Sequence, residues 1–116
     1  MMLRLISKIF YADLEIGLDL FVHGLGMAIL YQDEGITVVE RGFAKAYLVR
    51  DAEFAAKDRP EITIETDTIE ELFAEISARR PDLLHPNAKH VERKPWGALE
   101  FAVRDKTGVC VIFRQW

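Results

Sequence analysis

Cysteine is nearly absent from this chain: Cys110 is the only one among 116 residues, so an intramolecular disulfide is excluded. Its neighbours Val109 and Val111 predict a strand thiol that packs away from solvent. A lone buried thiol suits a reducing compartment, and we expect a cytoplasmic protein.

Basic residues are outnumbered by acidic ones, which gives a formal net charge of −4. A general nucleic-acid surface needs clustered Lys and Arg side chains, so nucleic acid is not an expected partner. No apolar run approaches the length that crosses a bilayer, and the first residues lack the apolar core and cleavage site of a signal peptide. We therefore expect neither export nor membrane insertion.

Motifs for nucleotide binding and nucleophilic catalysis are missing as well. Gly24-Leu25-Gly26 lacks the third glycine and the strand-to-helix context of a dinucleotide fingerprint, so it is better interpreted as a helix end. No phosphate-binding loop is present, and neither Ser7 nor Ser77 has a His or acidic residue in a triad-like pattern. We predict no catalytic residue and no cofactor.

Apolar periodicity in the first half of the chain predicts the order β-α-β-β-β. The predicted strands cover residues 3–12, 27–32, 36–40 and 44–50. Asp13 is a natural N-cap for a helix of about three turns, because apolar residues from Leu14 to Leu25 recur at helical spacing. The polar stretch 51–60 is predicted to be a connection to the second half.

The second half repeats this order. Its predicted strands cover residues 61–66, 89–93, 98–104 and 109–115. Alternation in the first of them directs Ile62 and Ile64 toward the core. Asp67 or Thr68 is expected to cap the second helix.

The closing segment carries the most specific pattern. Pro95-Trp96-Gly97 precedes two apolar-rich runs, residues 100–104 and 108–113, on either side of a turn at Asp105. This sequence pattern, together with Phe10-Tyr11-Ala12-Asp13-Leu14-Glu15 near the start, resembles the glyoxalase/bleomycin-resistance/dioxygenase (vicinal oxygen chelate) superfamily. The resemblance is closest to the bleomycin-resistance branch.

This resemblance implies an α+β fold, in which tandem β-α-β-β-β modules form curled mixed sheets around a concave pocket with the helices outside. The chain would be a single domain, 1–116, with module one at about 1–52 and module two at about 59–116. In the bleomycin-resistance branch the ligand crevice is built across a homodimer, so a second copy of this chain is an expected partner. The open edges of two small sheets also favour self-association.

The superfamily's enzymes hold a divalent ion with His or Glu side chains from four strands. By resemblance, three of these positions fall on Ile6, next to Ser7, on Glu61 and on Ile112. Isoleucine cannot coordinate a metal. The fourth position lies on the strand 44–50, whose polar candidates are Lys45, Tyr47 and Arg50. No metal site is predicted.

The histidines do not replace the missing metal ligands. His23 lies near the end of the first helix, and His85 and His90 lie in or beside a loop. None has metal-pair spacing, so we interpret them as exposed or capping residues. Glu61 remains open to two interpretations, a general base or a solvated strand carboxylate.

Aromatic side chains are the strongest candidates for ligand contact, because flat rings stack on planar molecules. The rings considered are those of Trp96, Phe101, Phe43, Tyr47, Phe10 and Trp116. Phe101, like Phe113, is better interpreted as core, because it lies in the apolar alternation of a central strand. The predicted ligand-binding residues are Trp96, Tyr47, Phe43, Phe10 and Glu61.

Resemblance gives Trp96 a specific role. In the bleomycin-resistance branch the tryptophan of Pro-Trp-Gly stacks on the planar part of the drug. The branch's other stacking aromatic falls on Ile36 in this chain. The expected ligand is therefore a planar or amphipathic molecule rather than bleomycin in particular.

The leading hypothesis is a metal-free small-molecule binding protein, as in drug or antibiotic sequestration, with a planar or cationic ligand stacked in a dimer crevice. The alternative is a metal-dependent lyase, isomerase or dioxygenase of the same superfamily. A third hypothesis is an interaction domain whose pocket is filled by its own side chains.

Overall fold

The computed structural model describes all residues, Met1–Trp116, and they divide into two compact units, Met1–Arg59 and Pro60–Trp116. The first unit holds four strands: β1 (Ser7–Tyr11), β2 (Ala28–Gln32), β3 (Ile36–Arg41) and β4 (Ala44–Arg50). They form one open sheet in the order β1-β4-β3-β2. The β1–β4 pair is parallel and the others are antiparallel.

The second unit has the same topology. Its strands are β5 (Glu61–Glu65), β6 (Glu92–Arg93), β7 (Leu99–Arg104) and β8 (Cys110–Gln115), in the order β5-β8-β7-β6. Here too the first strand pairs with the last in parallel, and the remaining pairs are antiparallel. This confirms the α+β class and the repeated β-α-β-β-β order.

The first helix begins where the sequence predicts. Helix α1 (Leu14–Leu18) is capped by Asp13, whose Oδ1 accepts the amide N–H of Glu15 at 3.0 Å. The ring of Tyr11 packs against Gly17, where no side chain separates strand β1 from the helix. Asp13 and Gly17 thus fix both the start of the helix and its distance from the sheet.

The same segment then changes its winding, so the prediction of an α-helix over its whole length is wrong. Asp19–Gly24 forms a π-helix, and the amide N–H of Leu25 donates to the carbonyl oxygen of Leu20 at 2.9 Å. The wider turn rotates the side chains relative to an α-helix. As a result Leu20 is fully buried, whereas Val22, which α spacing places in the apolar stripe, is only half-buried.

The predicted connection 51–60 contains a short helix, α2 (Ala52–Lys57). Asp51 caps it by accepting the amide N–H of Phe54 at 3.0 Å, and the Phe54 ring stacks on Phe10 with centroids 5.0 Å apart. Periodicity missed this helix because only one large apolar residue marks it. The cap and the good helix formers of the segment stabilise it instead.

Helix α3 (Ile69–Arg79) packs on its own unit's sheet. Phe73 contacts Phe101 edge to face at 5.2 Å, and Phe101 stacks on Phe113 at 4.9 Å. Both strand phenylalanines are buried, which confirms the core interpretation. Thr68 occupies the N-cap position, as predicted, but its side chain makes no capping hydrogen bond; the amide N–H of Ile69 donates instead to the side-chain Oε1 of Gln115 at 2.8 Å.

Two strands, β1 and β6, are shorter than predicted by several residues. β1 begins at Ser7, and Leu3 and Leu5 before it are exposed. β6 contains only Glu92–Arg93, because the residues before it form a loop. Part of this loop lines the cleft described below. No helix is long and apolar enough to cross a membrane.

Candidate ligand-binding site

The sheet of the second unit has one face covered by α3 and one face open. Phe101 and Phe113 are register partners on the covered face. Their neighbours along each strand point to the opposite, open face of the sheet. On the open face Glu61 is paired with Cys110, and Ala102 is paired with Ile112.

A cleft of about 180 Å³ lies on this open face. The strands line it with Glu61, Glu92, Glu100, Phe101, Ala102, Cys110 and Ile112. The loop before β6 adds His85, Asn87, Ala88 and His90, and the turn after β6 adds Lys94. All of these residues belong to the second unit.

The cleft carries an excess of negative charge. Three carboxylates, those of Glu61, Glu92 and Glu100, face a single lysine. Lys94 Nζ lies 3.3 Å from Glu92 Oε2, so the charges of these two residues neutralise each other. Glu100 is likewise paired with Arg114 at 2.7 Å, which leaves the exposed carboxylate of Glu61 to favour a cationic ligand group.

Trp96 is presented by a tight turn beside the cleft. The amide N–H of Gly97 donates to the carbonyl oxygen of Lys94 at 2.9 Å, and Gly97 has a φ of 97°, a conformation that favours glycine. The indole is 55% exposed, while its Nε1 donates to Oε2 of the cleft residue Glu100 at 2.9 Å. One edge of the ring is therefore fixed and much of its surface is accessible.

Glu100 also binds Arg114. The guanidinium Nε donates to the same Oε2 at 2.7 Å, and the Arg114 guanidinium lies 5.8 Å from the centre of the Trp116 ring. Trp116 in turn donates its indole N–H to Glu65 Oε2 at 2.8 Å. Two exposed indoles are thus held by carboxylates on one end of this sheet, and only the carboxylate that holds Trp96 lines the cleft.

Cys110 is only half-buried, which corrects the expectation of a thiol packed away from solvent. Its position on the open face, rather than against α3, explains the difference. Partial burial, and to a smaller extent the Glu61 carboxylate, raises the pKa of the Cys110 thiol, while the Arg104 guanidinium acts in the opposite direction. The thiol form is favoured and nucleophilic reactivity is reduced.

The cleft contains two of the positions that the resemblance predicts to correspond to metal ligands. Glu61 and Ile112 both line it, from neighbouring strands. Glu61 offers an oxygen ligand and Ile112 offers none. Across the chain, no three His, Cys, Asp or Glu side chains are grouped so as to hold a metal ion. The residues present do not fit a divalent ion with several protein ligands.

The five predicted ligand-binding residues divide between the two units. Glu61 lines the cleft and Trp96 binds a residue that lines it. Phe10, Phe43 and Tyr47 belong to the first unit. There the Phe43 ring is almost fully exposed in the β3–β4 turn, and Tyr47 and Phe10 are half-buried on β4 and β1. Their part in ligand binding stays a prediction.

Glu100, His85 and His90 are among the cleft residues that sequence reasoning does not predict. His90 is exposed, as expected, whereas His85 Nδ1 accepts the amide N–H of Asn87 at 3.0 Å within a turn rather than capping a helix. The amide N–H of His85 also donates to the carbonyl oxygen of Ala102 at 2.9 Å, which ties the loop to β7. A signal for Glu100 was available, because it is the only acidic residue in the apolar strand LEFAVR.

Comparison with known sequences gives no relative. No protein-family model matches the chain, and no curated protein is significantly similar to it. The evidence from known proteins therefore comes from solved structures.

Solved structures of the same fold cover nearly the whole chain. The bleomycin-binding protein of Streptomyces verticillus, solved with copper(II)-bleomycin, is 24% identical, with 97% of this chain and 95% of that chain covered and a TM-score of 0.78. A bleomycin-binding protein complexed with bleomycin is 16% identical, with 99% of each chain covered and a TM-score of 0.81. Lactoylglutathione lyase from Agrobacterium tumefaciens is 15% identical, with coverages of 97% and 92% and a TM-score of 0.73. The chain therefore has the fold of the glyoxalase/bleomycin-resistance/dioxygenase superfamily, as the closing hairpin and the repeated strand order predict.

Proposed function

We propose that this chain is a metal-free binding protein that sequesters a small planar, cationic molecule without chemical turnover. The observation that carries the proposal is an acidic cleft beside an exposed indole: Glu61 and Glu100 line the cleft, and Glu100 holds Trp96. Carboxylates attract a cationic group, and an indole face stacks on a planar ring. Structural likeness to bleomycin-binding proteins makes antibiotic sequestration the first role to test.

The direct test is calorimetric titration with copper-free bleomycin and with copper(II)-bleomycin. We expect W96A to weaken binding about tenfold or more, because the stacking surface is lost. W116A is the matched control, since Trp116 is also exposed and carboxylate-bound, but its partner Glu65 does not line the cleft. Absence of binding by the wild type would exclude bleomycin as the ligand, and equal effects of both variants would contradict stacking on Trp96.

We further propose that the chain binds its ligand as a homodimer. The cleft of about 180 Å³ is smaller than the roughly 300 Å³ at which drug-sized sites begin, so a second copy would supply the rest of the site. The edge strand β2 supports self-association, because it exposes Ile29, Leu30 and Tyr31. Light scattering after size exclusion should give twice the chain mass; a monomer at micromolar concentration would contradict this.

The alternative is a metal-dependent lyase, isomerase or dioxygenase. Likeness to a lactoylglutathione lyase and the position of Glu61 in the cleft support it. Metal analysis of the purified protein discriminates between the two proposals, because tightly held stoichiometric Zn, Ni, Fe or Mn would favour the enzyme. An interaction domain with a filled pocket would instead show no ligand-dependent rise in Tm across a varied compound panel.

A further inference from the structure

Glu100 differs from the other acidic residues of the cleft in its burial. Its side chain is 7% exposed, although it lines an open cleft. Glu61 and Glu92 are exposed strand residues. A carboxylate withdrawn from water needs compensating hydrogen bonds, so the donors around Glu100 decide what this residue does.

Both protein donors of Glu100 use the same oxygen. Trp96 Nε1 and Arg114 Nε reach Oε2 at 2.9 and 2.7 Å, and no protein group donates to Oε1. An ionised carboxylate accepts up to about four hydrogen bonds, two at each oxygen. The unused capacity of this buried carboxylate therefore lies at Oε1.

The shared oxygen couples the position of the Trp96 ring to the carboxylate. A ring whose N–H is bonded to Oε2 lies within one hydrogen bond of the group that carries the negative charge. A ligand that stacks on this ring therefore brings its own substituents close to Glu100. The Arg114 guanidinium offsets the charge of Glu100 and also contacts the Trp116 ring. The indole N–H of Trp116 donates in turn to the carboxylate of Glu65.

We propose that Glu100 is the specificity-determining residue of the cleft: Oε1 accepts an N–H from a cationic amine, amidine or guanidine, while Oε2 fixes Trp96 for stacking on the attached ring. This inference rests on the proposed binding function and goes beyond it by naming the group that is recognised. A neutral planar molecule of the same shape would stack equally well and bind more weakly, because it cannot form the charge-assisted hydrogen bond at Oε1.

The test compares 2-naphthamidine with 2-naphthamide, which share their shape and differ in charge. Binding of each is measured by saturation-transfer NMR and by quenching of indole fluorescence in a W116F background. We expect the wild type to prefer the amidine by about tenfold or more, and E100Q to remove that preference. E65Q is the control, because Glu65 is an acidic residue of the same sheet that does not line the cleft and that has already lost its indole partner in the W116F background.

Loss of the Arg114 pair could unfold E100Q, so two further variants keep the inference testable. E100Q/R114Q removes both charges of the pair and should also lack the preference. R114Q leaves Glu100 charged and should keep or increase it. Folding of each variant is checked by circular dichroism.

The outcomes separate this inference from the proposed function. If the wild type binds bleomycin but shows no amidine preference, or if the preference survives E100Q or E100Q/R114Q, Glu100 does not select the ligand and sequestration still stands. If the wild type binds neither naphthalene compound nor bleomycin, both proposals are wrong.

Discussion

Glu61 and Cys110 are register partners on the parallel strands β5 and β8, and both line the acidic cleft. Burial raises the pKa of the Cys110 thiol, and the neighbouring Glu61 carboxylate raises it further. The only cysteine of the chain is therefore a chemical probe of this site.

The first prediction concerns alkylation of Cys110 by iodoacetamide. Because the thiolate is the reacting species, a raised pKa slows the reaction near pH 8. E61Q removes the negative charge, so we expect alkylation at fixed pH to be faster by roughly a factor of two or more. The rates are measured by mass spectrometry.

E65Q serves as the control for E61Q, because Glu65 lies on the same strand but pairs with Arg114 rather than with Cys110. Its alkylation rate should equal that of the wild type. Equal rates for E61Q and wild type would show that Glu61 does not influence the thiol. A saturating ligand should slow alkylation in all three proteins.

The second prediction is a gain of metal affinity. Ile112 and Glu61 lie on one face of neighbouring strands, so I112E places two carboxylates in the cleft. We expect Zn²⁺ affinity to rise about tenfold or more, measured by calorimetry. The gain should vanish in I112E/E61Q, and an unchanged affinity of I112E would contradict the placement of these two side chains.

The third prediction is an acid transition of the β2–β3 turn. Hydrogen bonds from the Gly35 amide, the Tyr31 hydroxyl and the Ile36 amide lower the pKa of Asp33. Because the pKa is lowered in the folded state, the stabilising contribution is present above the unfolded pKa and is lost as pH falls through the folded one. The amide NMR shifts of Gly35 and Ile36 should therefore titrate with a midpoint below about 3.9.

The control for this titration is D33N, whose turn amides should show no such transition. The hydrogen bond that the Tyr31 hydroxyl donates to Asp33 raises the pKa of Tyr31. The phenol should therefore ionise at lower pH in D33N than in the wild type. A midpoint above about 4 at Gly35 would mean that Asp33 is not stabilised in its charged form.

The fourth prediction concerns packing between α1 and β1. A Cβ added at Gly17 would lie 2.7 Å from Cε2 of Tyr11, whose ring is fully buried and has no room to move. G17A should lower the free energy of unfolding in urea by about 1–3 kcal/mol, even though alanine is the better helix former. G35A is the control, because its nearest neighbour would be Asp33 Oδ1 at 3.7 Å. Similar stability of G17A and wild type would contradict the tight contact.

Most of the fold follows from local patterns in the sequence. Strand β4 matches the prediction at both ends, and the Asp13 cap is found where it is expected. Local patterns fail where a distant residue decides the outcome. Thr68 is the N-cap residue of α3, but the side chain that accepts the first amide N–H is that of Gln115. No local pattern distinguishes the π winding after Leu18 from an α-helix.

The candidate site was less predictable than the fold. Trp96 is predicted from the Pro-Trp-Gly motif, and Glu61 is predicted from its position at the start of an alternating strand. His85 and His90 reach the cleft only through a loop whose course depends on its bond to Ala102. The importance of Glu100 comes from two contacts, with Trp96 four residues earlier and Arg114 on the paired strand, which composition and periodicity do not reveal.

The parallel pairing of β1 with β4 has a consequence for biosynthesis. Every strand partner in the first sheet lies within the first 50 residues, and β4, which ends at Arg50, is the last to be made. Backbone pairing of this sheet therefore needs no residue of the second unit, and it can be completed before the second sheet is. Only the outer edges of β1 and β2 then remain unpaired in this sheet.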